Sequence, residues 1–110
     1  MAVSVPPLEA AEVVRRFYES LSRGQVVEAL DLFATDAVLW DEQGSESRGI
    51  RAITTALLAY REPHPIALDR IESIGSNVRV HFRTEKSRRY RGIFAVDHGR
   101  IRLVRLERTS

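Results

Sequence analysis

Apolar residues return along the first part of the chain at three- and four-residue intervals. Ala10, Val13, Val14, Phe17, Tyr18 and Leu21 follow this spacing, with Glu9, Glu12, Arg15, Arg16 and Glu19 largely opposite them. The stretch predicts an amphipathic helix that Gly24 closes. A shorter helical pattern follows in Val26, Ala29, Leu30 and Phe33, and Thr35 with Asp36 is expected to break it. Branched and aromatic residues dominate 37–41, which predicts a short strand stopped by the polar, Gly-containing stretch 42–49. Two-residue alternation puts Leu39 and Asp41 on one face of that strand and Val38 and Trp40 on the other.

Over 50–60, Ile50, Ile53, Leu57 and Tyr60 mark the buried stripe of a third helix, and Pro63 and Pro65 stop it near Glu62. The period then changes to two. Residues 66–74, 78–84, 89–96 and 101–107 are strand candidates, separated by turn-forming stretches at 75–77, 85–88 and 97–99. Links this short imply antiparallel neighbours. The predicted order is helix, helix, strand, helix and then a meander of strands. This is an α+β class in which a cone-shaped, curved sheet wraps around the helices and leaves a hollow at its open mouth.

Length adds a limit, because 110 residues bury a single core. Residues 1–7, ending in Pro6 and Pro7, read as a loose arm, and 8–110 as one domain. The start has neither a basic region nor a long apolar run, and no apolar run approaches the roughly 20 residues of a spanning helix. A cytoplasmic location without membrane contact is the expectation. The sequence contains no cysteine, which excludes disulfides and thiolate sites. The three histidines, His64, His81 and His98, lie too far apart in sequence for an i, i+3 or i, i+4 ligand pair, so no metal and no cofactor is expected. Formal net charge is only +2, and Lys86 is the one lysine among 17 basic residues. Arg88, Arg89, Tyr90 and Arg91 form a basic run that reads as a solvated hairpin with protective charges, so no nucleic-acid partner is expected.

The segments containing Val13, Val14, Arg15, Arg16 and Phe17, then Ala29, Leu30, Asp31, Leu32 and Phe33, then Asp36 and Ala37, resemble the opening of the nuclear transport factor 2-like superfamily. That superfamily includes the ketosteroid isomerases and the SnoaL-like polyketide cyclases. The continuation from Asp41 to Gly49 is similar to bacterial ketosteroid isomerases. The end of the chain, with Gly99 and Arg100 before the final strand, resembles the superfamily's last hairpin. The resemblance implies the cone fold, a pocket for a small hydrophobic molecule, and pairing of two copies through their sheets. Apolar residues on both faces of the last strand fit the same dimer.

By the same resemblance, Asp41 takes the position of the isomerases' proton-shuttling aspartate, where a carboxylate beside an apolar pocket can act as general acid–base next to a carbonyl. The two isomerase groups that hydrogen-bond the enolate align with Phe17 and Gly92, and neither can donate. Losing one such donor commonly costs about 10²–10³ in rate, so steroid isomerase activity is not expected. Tyr18, one residue from the aligned position and about 100° around the helix, needs a rotated helix to point inward. Tyr60, Tyr90 and His81 are other replacement donors. An epoxide-hydrolase arrangement of Asp41, an inward Arg79 or Arg83, and Glu85 is a further option. Besides Asp41, the candidate lining of the pocket is Phe17, Tyr18, Leu39, Tyr60, His81, Gly92 and Val104. The readings that remain are a cofactor-free isomerase, cyclase or epoxide hydrolase, or a non-catalytic module that binds a ligand or dimerises with the same fold.

Overall fold

The computed structural model describes residues 10–59, 67–75, 77–83 and 89–109. The expected N-terminal arm, Tyr60, the helix stop at Pro63, His64, and the turn with Glu85 and Arg88 lie outside the described residues. Helix α1 spans Ala10–Ser22, α2 Val26–Leu30 and α3 Ile50–Ala59. The strands are β1 (Phe33–Trp40), β2 (Glu46–Arg48), β3 (Ala67–Ile74), β4 (Asn77–Arg83), β5 (Arg89–Asp97) and β6 (Arg100–Arg108).

Together the strands form one sheet in the order β2-β1-β6-β5-β4-β3. Every neighbouring pair is antiparallel except β1 with β6, which run parallel. Helix α1 packs across β3 to β6, and α3 against β1, β2 and α2. The sheet thus has a helix-covered inner face and an outer face that no helix among the described residues covers. Alternation assigns residues to the two faces, as expected from the period of two. Val78, Val80 and Phe82 are buried on the inner face, while Arg79 and His81 between them point outward.

Two expectations are corrected near β1. The strand begins at Phe33, not at 37, because Phe33 is a core residue 2% exposed whose ring meets Phe17 at 5.3 Å. Thr35 and Asp36 do not end the helix but lie inside β1, where the register with β6 shifts between Phe33 and Val38 and lets both polar residues reach solvent. The stretch 42–49 is not a plain loop either. Its Glu46–Arg48 segment pairs with Val38, Leu39 and Trp40 as a short polar edge strand, and charges are what protects an edge from further pairing. The last turn agrees with its sequence: His98 and Gly99 both take positive φ, 52° and 76°, as a tight connection between antiparallel strands requires.

Candidate functional site

The inner face of the sheet is read most directly as rows of side chains in register. Leu39 of β1 stands beside Val104 of β6, Val104 beside Phe94 of β5, and Phe94 beside Val78 of β4. All four are at most 2% exposed. In the next row Leu106, Gly92 and Val80 are neighbours, followed by Ile71 of β3. In the third, Tyr90 faces Phe82 and Phe82 faces Leu68.

Helix α1 lays Phe17 and Tyr18 on these rows. Phe17 meets Phe94 edge-on at 5.7 Å, and Tyr18 meets Phe82 at 5.1 Å and Phe94 at 5.7 Å. Tyr90 stacks on Phe82 at 5.4 Å with the ring planes 18° apart and is itself only half-buried, so it forms the edge of the cluster. Each aromatic pair of this kind adds about 0.5–1.5 kcal/mol beyond its area burial, and the cluster therefore fixes how α1 sits on the sheet.

Tyr18 also departs from its expectation. It points inward without any rotation of the helix, and both it and Phe17 are 3% exposed. The buried residues of α1 come as adjacent pairs, Val13 with Val14 and Phe17 with Tyr18, so the centre of the apolar face runs between the members of each pair and each lies about 50° from it. The Tyr18 hydroxyl reaches β5 at Gly92. A Cβ added to Gly92 would come within 2.9 Å of that oxygen and 2.9 Å of Phe94 Cε1, with Leu106 Cδ2 at 3.6 Å. Glycine at 92 thus makes room for a hydroxyl delivered from α1.

Asp41 follows β1 directly and is half-buried. Its Oδ1 accepts from the backbone N–H of Gln43 at 2.9 Å and of Ser45 at 2.8 Å. The backbone N–H of Asp41 donates to the Ser45 carbonyl at 3.0 Å, and that of Gly44 to the Asp41 carbonyl at 3.0 Å. Aspartates commonly organise turns in this way, and here the carboxylate anchors the hairpin between β1 and β2. One of its oxygens accepts two amides, which holds the group in a fixed orientation.

Of the sequence-predicted lining, the structure brings together Phe17, Tyr18, Leu39 and Val104 in one core, with Gly92 against Tyr18 and Phe94. His81 does not join them. It stands on the outer face with Nε2 3.2 Å from Glu72 Oε1. Arg79 and Arg83 share that outer face, and Arg83 pairs with Asp69 at 2.9 Å, so neither arginine is the inward one that the epoxide-hydrolase arrangement needs. The sequence reading missed Phe82, Phe94 and Leu106, although two-residue spacing from Val80, Gly92 and Val104 already places them on the inner face. Among the described residues no group of three or more His, Cys, Asp or Glu side chains is positioned to hold a metal ion. No helix among them is long and apolar enough to cross a membrane. An open depression of about 230 Å³ is lined by Arg15 of α1 and by Leu68, Asp69, Arg70 and Ile71 of β3, at the β3 border of the inner face.

Comparison with solved structures defines the class. An NTF2-like protein of unknown function from Cytophaga hutchinsonii is 11% identical, with a TM-score of 0.78, covering 89% of this chain and 88% of that one. A Catenulispora acidiphila protein with a ketosteroid isomerase-like fold, in complex with trimethylamine, is 13% identical, with a TM-score of 0.76 and coverage of 86% and 83%. An epoxide hydrolase from Mycobacterium tuberculosis, like the limonene epoxide hydrolases, is 24% identical, with a TM-score of 0.78 and coverage of 92% and 83%. The chain has the NTF2-like fold, an α+β cone that these proteins share. No protein-family model matches the sequence, and no curated protein matches it.

Proposed function

We propose that the chain is a small-molecule binding protein of the NTF2-like fold, holding an apolar compound that carries one hydrogen-bond acceptor, a carbonyl or an epoxide oxygen. The observation that carries the reading is the Tyr18 hydroxyl beside Gly92, a polar group delivered into a wall of Phe17, Phe82, Phe94 and Leu106. Small-molecule sites in general combine apolar walls with a few placed polar groups. Tyr90 at the edge of the cluster is the side chain a ligand would meet first. No cofactor is assigned to this site.

Calorimetric titration with a cyclic ketone and with its parent hydrocarbon tests the reading. Tyr18→Phe keeps the ring and removes the hydroxyl, so the ketone should weaken by roughly 2- to 10-fold, the worth of one hydrogen bond. The hydrocarbon should bind unchanged. Equal affinity of the ketone for both proteins would remove Tyr18 from the role.

A second reading is catalytic, with Asp41 as general acid–base on the same class of compound. Its support is the fixed orientation of the carboxylate by Gln43 and Ser45, together with the activity named for the Mycobacterium tuberculosis neighbour. Asp41→Asn should then abolish turnover across a panel of ketones and epoxides and leave binding intact. If wild-type protein turns over none of the panel, the binding reading stands alone.

Two copies are proposed to pair through the outer faces of their sheets. Val38, Trp40, Ile93, Ala95 and Leu103 are half-buried there with no helix over them among the described residues, and Ile74 beside them is 46% exposed. Sedimentation velocity distinguishes dimer from monomer directly.

A further inference from the structure

The outer face carries charge as well as apolar surface, and the register arranges that charge in rows. Arg70, His81, Arg91 and Glu107 are neighbours across β3 to β6. The adjacent row runs Glu72, Arg79, Ile93, Arg105 and Trp40 through to β1. Most of the charges are matched within the chain. Arg70 pairs with Glu72 at 2.8 Å, Arg83 with Asp69 at 2.9 Å, and Arg91 with Glu107. Arg79 and Arg105 belong to none of the ion pairs among the described residues, and the contact found for Arg105 is the face of Trp40, 5.9 Å from its guanidinium carbon. These two arginines flank Ile93 in register, two strand spacings or about 10 Å apart.

Pairing of two identical faces presents the same set of groups from each side. Each copy brings two cations that form no ion pair among the described residues, so four guanidinium groups enter one interface. Buried charges need partners, and like charges set against each other oppose association. A tetrahedral oxyanion answers both problems, because guanidinium forks bind it through paired charge-assisted hydrogen bonds.

We propose that self-association through the outer face takes up an oxyanion of the phosphate or sulfate type, held by Arg79 and Arg105 above Ile93. The inference rests on the dimer reading above and adds to it the group that makes the dimer stable. Dimerisation is then linked to anion concentration. Below the site's dissociation constant added anion should leave the dimer's affinity unchanged, and above it each tenfold rise in free anion should tighten the dimer by about tenfold per bound anion.

Sedimentation equilibrium with inorganic phosphate, and separately with sulfate, against sodium chloride at matched ionic strength, tests this. Phosphate and sulfate should each tighten the dimer by about tenfold or more, and chloride should not. The Arg79→Gln, Arg105→Gln double variant changes only outer-face side chains, and circular dichroism checks its fold. It should dimerise without phosphate and lose the dependence on it. A wild-type dimer equally strong in chloride and in phosphate overturns the anion site and leaves the homodimer standing. A double variant that still responds to phosphate also overturns it. A monomer under every condition removes the homodimer and this inference together.

Discussion

On the inner face of the sheet, Leu39, Val78, Val80, Phe94 and Val104 form unbroken apolar rows under α1, and the polar group brought among them is the hydroxyl of Tyr18. On the outer face the same strands carry Arg70, Glu72, Arg79, His81, Arg91, Arg105 and Glu107, interleaved with Ile93, Ala95 and Leu103. The backbone is shared, so the difference lies wholly in which side chains alternate. The inner face gains its stability from packing, where each lost methylene is felt. The outer face holds half-exposed ion pairs, which contribute little one by one, and its apolar residues are only half-buried.

The contrast is broken most severely from the inside. Phe94→Ala removes the ring that meets Phe17 and Tyr18 and should cost about 3–5 kcal/mol in urea unfolding. Ile93→Ala, the next residue in β5 but on the other face, should change the monomer far less. If the two substitutions cost the same, the assignment of faces is wrong.

Gly92→Ala comes next, at about 1–3 kcal/mol, because its methyl would press on Tyr18 and Phe94. Combining it with Tyr18→Phe relieves one of the two close approaches, so a double-mutant cycle should show a favourable coupling of about 0.5 kcal/mol or more. Strict additivity would mean that the hydroxyl does not sit beside Gly92.

Asp41→Ala removes the acceptor for the Gln43 and Ser45 amides and should destabilise by about 1 kcal/mol. Asp41→Asn keeps an acceptor oxygen and should unfold near the wild-type midpoint. Smallest of all, Glu107→Gln on the outer face breaks the pair with Arg91, both side chains being more than a third exposed, and should fall within about 1 kcal/mol.

Much of this contrast was legible in the residues. Val78, Val80 and Phe82 alternate with Arg79 and His81, and that pattern alone assigns two faces to β4. The spacing of Ile53 and Leu57 similarly gives α3 its buried side. The edge strand β2 was hidden because Glu46, Ser47 and Arg48 offer no apolar signal, and its pairing depends on the turn that Asp41 organises. The helix rotation expected for Tyr18 comes from measuring it against the aligned position 17, although the doublets Val13–Val14 and Phe17–Tyr18 mark a face centre between them. Gly92 read as a missing donor, because a sequence does not show which distant side chain occupies the room that a glycine leaves. The fold was therefore carried by periodicity, which is local. The site depends on a contact between α1 and β5, which is not.

Methyl-resolved NMR during titration with a cyclic ketone tests the placement of the site most directly. Leu39, Val104 and Leu106 of the inner face should shift saturably, and Val38, Ile93 and Leu103 of the outer face should stay in place. Saturable shifts confined to Val38, Ile93 and Leu103 would contradict the account and move ligand binding to the other side of the sheet.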